Sequence, residues 1–113
     1  MNTNKLFELT VRGEAVSHFD SQTVKEELQN LTSNCSEDCF LILAISADTY
    51  LQTYYTPDRN QFDLEYRDGD ASRHFEEASG QLTLNEVKNV FYNYYNNKND
   101  WNTGINWQLT QAS

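Results

Sequence analysis

The chain has 113 residues, of which 13% are aromatic, and its 17 acidic and 8 basic side chains give a formal net charge of −9. This length predicts a single domain over residues 1–113 with one hydrophobic core, and the aromatic content is unlike that of a disordered chain. Nucleic acid and anionic membranes are excluded as partners, because binding them requires clustered Lys and Arg. The same charge favours a basic protein partner, although acidity can also serve solubility alone.

The first predicted elements are a strand and a helix. Residues 5–12 alternate between polar and apolar side chains, as expected for a strand with one buried face. A helix is predicted over residues 23–31, with Asp20 or Ser21 as its N-cap. Its apolar residues recur at i, i+4 and i+7 in one narrow stripe, which predicts a half-exposed helix.

The two cysteines are Cys35 and Cys39, and the second begins an apolar segment. The start of the chain shows no apolar run of signal-peptide or membrane-span length, so we expect a cytoplasmic protein. In that reducing compartment both cysteines are expected to be free thiols, with Cys39 as a small buried hydrophobe. A zinc site would need two further ligands, and His18 and His74 lack the spacing for one. We therefore predict no metal.

Four strands joined by short polar turns follow, over residues 40–45, 50–55, 61–67 and 74–76. Connections this short join antiparallel neighbours, so these strands are predicted to form a meander. The third strand alternates with period two, which separates its side chains onto two faces. Phe62, Leu64 and Tyr66 are expected on one face, and Asp63, Glu65 and Arg67 on the other.

The C-terminal third is predicted to form a helix and a last strand. Thr83 and Glu86 have the spacing of a capping box, and a wide apolar face follows over residues 84–95. Trp101 is expected to fold back onto the core. The residues expected to point inward from a last strand over 105–109 are Ile105, Trp107 and Leu109.

Together these elements predict an α+β domain with a mostly antiparallel sheet of about five to six strands and two helices packed on one side. The pattern does not predict the strand order.

No constellation of residues in the sequence indicates catalysis. Both histidines are expected to be surface or partly hydrogen-bonded residues rather than members of a Ser-His-Asp triad. Asp63 and Glu65 share a strand face, but a glycosidase would need two carboxylates facing each other across a cleft. A glycine-rich phosphate loop is also missing from the sequence. We therefore predict a protein that is not an enzyme and has no cofactor.

Carboxylates and tyrosines are interspersed between residues 54 and 77. Such a mixture suits recognition of a basic protein, because charges steer the encounter and aromatic rings supply buried area. A solvated sheet face is the alternative interpretation. The tyrosines expected to be partly exposed are Tyr54, Tyr55 and Tyr66. The predicted partner-binding residues are Asp63, Glu65, Arg67, Asp68 and Asp70. Glu76, Tyr54 and Tyr66 are further candidates, ranked after these five.

Residues 40–109 resemble small immunity proteins of bacterial polymorphic toxin systems, in particular those directed against deaminase and nuclease toxins. The residues that carry the resemblance are the segment 62–69, His74 and Phe75, the helix start over 82–87, and Trp101 and Trp107. The resemblance implies that the protein binds a cognate toxin in the producing cell and blocks its active site, without catalysis, cofactor or metal. An acidic inhibitor suits the basic cleft with which such toxins bind nucleic acid.

Two alternatives remain from the sequence. One is a general interaction or regulatory module of a bacterium, phage or mobile element. The other is a small ligand-binding domain or enzyme with a pocket lined by tyrosines and Trp107. Both a monomer and a homodimer are compatible with a tyrosine-rich edge strand.

Overall fold

The computed structural model describes residues 7–110, which form two helices and a seven-stranded sheet. The predicted α+β class is confirmed, with slightly more strands than the five to six expected. Residues 5–6 of the predicted first strand lie outside the described range. The strands are β1 (Glu8–Val11), β2 (Glu14–Val16), β3 (Phe40–Ser46), β4 (Thr49–Thr56), β5 (Gln61–Asp68), β6 (His74–Glu77) and β7 (Trp107–Leu109), and the helices are α1 (Ser21–Asn34) and α2 (Leu84–Tyr95).

The sheet has the strand order β2-β1-β3-β4-β5-β6-β7, and each neighbouring pair is antiparallel. The predicted meander is confirmed for β3 to β6. The strand that was not predicted, β2, forms a hairpin with β1 through Arg12 and Gly13, both of which have positive φ (54° and 86°). A hairpin turn of this kind needs such backbone angles. With three residues, β2 is too short to show a period of two.

Both helices begin with reciprocal capping hydrogen bonds. In α1 the Asp20 carboxylate accepts from the backbone N–H of Thr23 at 3.0 Å, which confirms Asp20 as the N-cap. In α2 the Glu86 carboxylate accepts from the Thr83 backbone N–H at 2.9 Å, as the capping box predicted. These bonds satisfy amides that the first helical turn leaves unpaired. Between residues 7 and 110, no helix is long and apolar enough to cross a membrane.

The core lies between the helices and one face of the sheet. Leu41, Thr53 and Leu64 are aligned across β3, β4 and β5 and are fully buried. Val87 and Phe91 of α2 belong to the same cluster. The predicted arrangement of helices on one side of the sheet is therefore confirmed, and the opposite face carries neither helix.

The predicted folding of Trp101 onto the core is confirmed, but the burial of two side chains, Leu109 and Tyr55, differs from the prediction. The Trp101 ring lies 4.8 Å from the rings of both Tyr66 and Tyr94. Leu109 shares a sheet face with Phe75 but remains 58% exposed, because it lies on the edge strand beyond the helices. Tyr55, expected to be partly exposed, is buried at 4% exposure since its ring packs on Phe62 at 4.9 Å.

Cys35 and Cys39 form a disulfide, so the prediction of free thiols is wrong. Helix α1 ends at Asn34 with Cys35 as its C-cap, and the chain then turns back into β3. This turn brings the two Cα atoms to 5.8 Å, within the range that a disulfide spans. The prediction rested on the expected compartment and not on local geometry. Cys39 is buried, as expected.

Candidate protein-binding face

The face of the sheet opposite the helices, called the open face below, carries most of the predicted partner-binding residues. Its side chains alternate along each strand with those of the core. Three of its rows are read from the strand register: two cross β3 to β6, and the third crosses β3 to β5. The residues of these rows are Phe40, Ile42, Ala44, Tyr50, Gln52, Tyr54, Asp63, Glu65, Arg67, His74 and Glu76.

Five of the eight predicted residues lie together on the open face: Tyr54, Asp63, Glu65, Arg67 and Glu76. Tyr54 is paired with Asp63 across β4 and β5, and Glu65 with Glu76 across β5 and β6. Tyr54 is 47% exposed. The face therefore combines an exposed aromatic ring with three carboxylates within two neighbouring rows.

Asp68 is the last residue of β5, and Asp70 lies in the connection that follows it, at one end of the sheet. The Asp68 carboxylate pairs with Arg73 at 2.7 Å. Asp70 caps the 3-10 turn Ala71–Arg73, where its carboxylate accepts from the Ser72 backbone N–H at 2.8 Å. Hydrogen bonds from Ser72 lower the pKa of Asp70. Both carboxylates thus stabilise the conformation of the β5–β6 connection.

Tyr66 lies on the opposite, helix-covered face. Its ring stacks on Phe75 at 4.9 Å and meets the edges of Trp101 and Trp107 at 4.8 and 4.7 Å. Its hydroxyl accepts a hydrogen bond from the Asn102 amide at 3.4 Å. Tyr66 was predicted to bind the partner, but it lies on the sheet face opposite the predicted partner-binding residues of the open face.

A partly buried polar cluster on the open face was not predicted from the sequence. Arg67 Nε donates to His74 Nδ1 at 3.2 Å, and His74 Nε2 lies 2.6 Å from Glu65 Oε1. Because an arginine Nε only donates, His74 Nδ1 must be unprotonated, and Nε2–H then donates to Glu65. The imidazole is neutral in this arrangement and is only 7% exposed. The alternation placed Glu65 and Arg67 on one face, but only the β5–β6 register brings His74 to them.

The cluster extends toward β4. Arg67 Nη1 lies 3.5 Å from the Asp48 carboxylate, and its guanidinium lies 5.8 Å from the Tyr50 ring centroid. Both ring nitrogens of His74 are engaged by neighbours, so the imidazole cross-links β5 and β6. Arg67 is fixed in turn by partners on three sides.

The carboxylates at the other end of the open face repel one another. Partial burial raises the pKa of Asp63, with further contributions from the negative charges of Glu65 and Glu77, against the opposing effect of Arg59. A Cβ at Gly80 would lie 2.8 Å from Asp63 Oδ1, which shows how closely the backbone approaches this carboxylate. A cation placed here would relieve the repulsion.

Among residues 7–110, no group of three or more His, Cys, Asp or Glu side chains is arranged to hold a metal ion.

Comparisons with protein-family models, with curated proteins and with solved structures found no match. The function of the open face is therefore inferred from its own chemistry.

Proposed function

We propose that this protein binds a basic protein through its open face, and that the partner is a bacterial nuclease or deaminase toxin whose active-site cleft it covers. The observation that carries the proposal is the uncovered sheet face on which Tyr54 lies among Asp63, Glu65 and Glu76. In this proposal the chain acts as an immunity protein and without catalysis.

The aromatic and charged residues of the open face have separate parts in this proposal. Phe40, Ile42, Tyr50 and Tyr54 supply the area that is removed from water on binding, and rigid aromatic anchors dominate interface energies. The carboxylates steer a cationic partner toward the face and set its orientation. Partial burial raises the pKa of Asp63 most, and repulsion by Glu65 and Glu77 raises it further; Lys or Arg side chains of the partner would relieve that repulsion.

The charge of the molecule supports a nucleic-acid-processing partner. Enzymes that act on nucleic acid line their clefts with Lys and Arg to hold phosphates. A chain of net charge −9 can compete for such a cleft by presenting carboxylates where the substrate presents phosphates. The resemblance of residues 40–109 to immunity proteins of deaminase and nuclease toxins supports the same assignment.

The geometry around His74 also supports a binding role over an enzymatic one. Its two ring nitrogens are engaged by Arg67 and Glu65, which leaves the imidazole no free nitrogen to take a proton from a substrate.

The test is capture of a partner from lysate of the source organism, with wild-type protein and two charge-reversal variants as baits. Asp63→Lys/Glu76→Lys changes the open face without touching the Glu65–His74 pair. Glu14→Lys/Glu26→Lys is the matched control, because it changes the net charge equally at two exposed positions away from that face. We expect wild type and control to retain one basic protein, the open-face variant to lose it, and neither variant to melt below the wild type.

The captured protein is then assayed for nuclease and deaminase activity. Inhibition by wild type and by the control, but not by the open-face variant, supports the proposal. Equal loss of binding in both variants would show that net charge alone is responsible, and a partner without either activity would point to a general interaction module. Failure of the wild type to capture any basic protein would remove the proposal.

A further inference from the structure

The edge of the sheet at β7 lacks the residues with which native edge strands avoid pairing. Among the described strands, β7 is last in the sheet order and pairs with β6 alone. Residues 101–113 contain no charged residue and no proline, although 22% of the whole chain is charged. Charged side chains and proline are the usual means by which an edge strand excludes a further strand. The β7 edge is therefore open to strand addition.

The backbone of β7 has two residues whose polar groups face outward. The Thr110 N–H donates to the His74 carbonyl at 2.8 Å, so Thr110 faces β6. In an antiparallel strand, successive residues direct their N–H and C=O groups to opposite sides. Gln108 therefore also bonds β6, whereas Trp107 and Leu109 direct these groups away from it. On that side the described residues place no strand.

The charge distribution indicates which strand can pair here. A basic protein is steered by carboxylates, and the β7 edge has none. A second copy of this chain also has a net charge of −9, so it can approach only where no charges are brought together. The β7 edge meets that condition, whereas the opposite edge strand, β2, carries Glu14. Leu109, which is 58% exposed, adds an apolar side chain that pairing would cover.

We propose that two copies of the chain associate through antiparallel pairing of their β7 strands, about a two-fold axis that passes between their Gln108 residues. Trp107 of each copy then lies opposite Leu109 of the second copy, and each of these pairs exchanges two backbone hydrogen bonds. Both side chains of such a pair lie on the helix side of the sheet, so Leu109 gains an aromatic neighbour. The two Gln108 amides meet at the axis and can bond each other.

This arrangement keeps the acidic residues of the two copies apart and leaves the open faces uncovered. Glu76, which is paired with Gln108, would lie three strand spacings from Glu76 of the second copy, or about 14 Å. That distance exceeds the Debye length of about 8 Å at physiological salt. The axis is perpendicular to the sheet, so both open faces point the same way. The association therefore does not depend on the function proposed for the open face.

The first test is sedimentation equilibrium of the purified protein between about 10 and 1000 µM. Because β7 has three residues, we expect a weak dimer with a Kd of about 100 µM. Leu109→Pro removes an N–H that does not bond β6, and proline is tolerated at such edge positions. It should weaken the dimer at least about tenfold and leave the melting temperature at low concentration within about 3 °C of the wild type. Leu109→Val keeps the N–H and an apolar side chain, and it should change the Kd by less than about threefold.

The second test is oxidative cross-linking, which reports on the register. In a non-hydrogen-bonded antiparallel pair, the Cα atoms lie about 4.5 Å apart, within the range that a disulfide spans. Both native cysteines are already paired with each other. Gln108→Cys should therefore form a covalent dimer at the axis. Gln22→Cys, at an exposed position of α1, is the control for random collision and should cross-link much more slowly.

A protein that remains monomeric at about 1000 µM would overturn the proposal. So would a dimer that Leu109→Pro does not weaken, or equal cross-linking rates for Gln108→Cys and Gln22→Cys. Leu109→Cys should cross-link more slowly than Gln108→Cys, and the reverse order would show a different register. Oligomers that grow beyond the dimer with concentration would indicate pairing of β7 with β2 of the next copy, which also contradicts the two-fold arrangement.

Discussion

The imidazole of His74 connects two strands through hydrogen bonds on both of its nitrogens. Its partners, Glu65 and Arg67, are themselves only 32% and 23% exposed as side chains, so water replaces a lost bond incompletely. A substitution of Glu65 would therefore test two roles at once. Glu65 presents a negative charge to a partner, and it accepts the hydrogen bond that fixes His74. Asp63 and Glu76 report on partner binding without this ambiguity.

We predict that His74→Ala lowers the free energy of unfolding by roughly 2 kcal/mol, because the partly buried Arg67 Nε and Glu65 carboxylate each lose their hydrogen bond to the imidazole. For a domain of this size that corresponds to a fall of about 8 °C in the melting temperature, measured by circular dichroism. His18→Ala removes the other histidine, which is exposed, and should change the melting temperature by less than about 2 °C. Equal effects of the two substitutions would contradict a cross-linking role for His74.

Asp63 gives a prediction for the pH dependence of stability. Its pKa is raised in the folded protein, so the folded state binds the proton more tightly than the unfolded chain. Proton binding by Asp63 therefore favours folding at pH values below 3.8, the ordinary pKa of an aspartate. This contribution is lost as the pH rises through the raised pKa. Asp63→Asn should therefore raise the melting temperature at neutral pH, and this gain should shrink toward zero as the pH falls below 3.8.

The control for Asp63→Asn is Asp58→Asn, which removes one charge at an exposed position of the β4–β5 turn. It should not give the same gain at neutral pH. A lower melting temperature of Asp63→Asn at neutral pH, or a gain that does not depend on pH, would contradict the interpretation.

At the scale of elements, the disulfide ties the end of α1 to the start of β3. Cys35 is the C-cap of the helix, and Cys39 is buried directly before the strand. The chain between them is exposed, and Asp38 has a positive φ of 56°. The covalent link therefore restrains a connection that has few buried contacts of its own.

We predict that reduction of the disulfide lowers the free energy of unfolding by about 2 kcal/mol, the chain-entropy value for so short a loop. The melting temperature should fall by about 8 °C in dithiothreitol. A Cys35→Ala/Cys39→Ala variant is the control and should melt at the same temperature with and without reductant. An unchanged melting temperature of the reduced wild type would show that α1 and β3 hold this connection without the link.

The elements that could be predicted from the sequence are those with a local physical signal. Period-two alternation predicted β5, and the capping-box spacing of Thr83 and Glu86 predicted the start of α2. For α1 the capping residues narrowed the N-cap to Asp20 or Ser21, and the structure selects Asp20. The short β2 has no such signal, and the Cys35–Cys39 pairing depends on where α1 ends. The exposure of Leu109 depends on how far the helices extend over the sheet, which alternation does not encode.

The candidate site could likewise be predicted only where a local sequence pattern places its residues. Alternation placed Asp63, Glu65 and Arg67 on one face, and the structure adds Tyr54 and Glu76 to it. Tyr66 lies on the other face because adjacent residues of a strand point to opposite faces, and Tyr66 is next to Arg67. The pairing of His74 with Glu65 and Arg67 required the β5–β6 register, which no local pattern determines.

At the scale of the whole molecule, acidic side chains outnumber basic ones. The full chain has a formal net charge of −9, and the structure has a radius of gyration of 13.4 Å. The ion pairs within residues 7–110 that do not depend on a protonated histidine are Arg67–Asp48 and Arg73–Asp68, and both arginines lie in or near the β5–β6 hairpin. Most other carboxylates therefore contribute repulsion, which opposes the compact state.

We predict that the melting temperature rises as NaCl is increased from about 10 mM to about 500 mM, because the Debye length falls from about 30 Å to a few ångströms and the repulsion is screened. The ion pairs are screened as well, but Arg73 and Asp68 are exposed, and such pairs contribute at most about 1 kcal/mol. NaCl is used because sulfate also stabilises folded proteins through exclusion from their surface. Glu14→Lys/Glu26→Lys, which reduces the net negative charge by four, should show a smaller rise over the same range. A melting temperature that falls with NaCl would mean that the ion pairs of the β5–β6 hairpin outweigh the repulsion elsewhere.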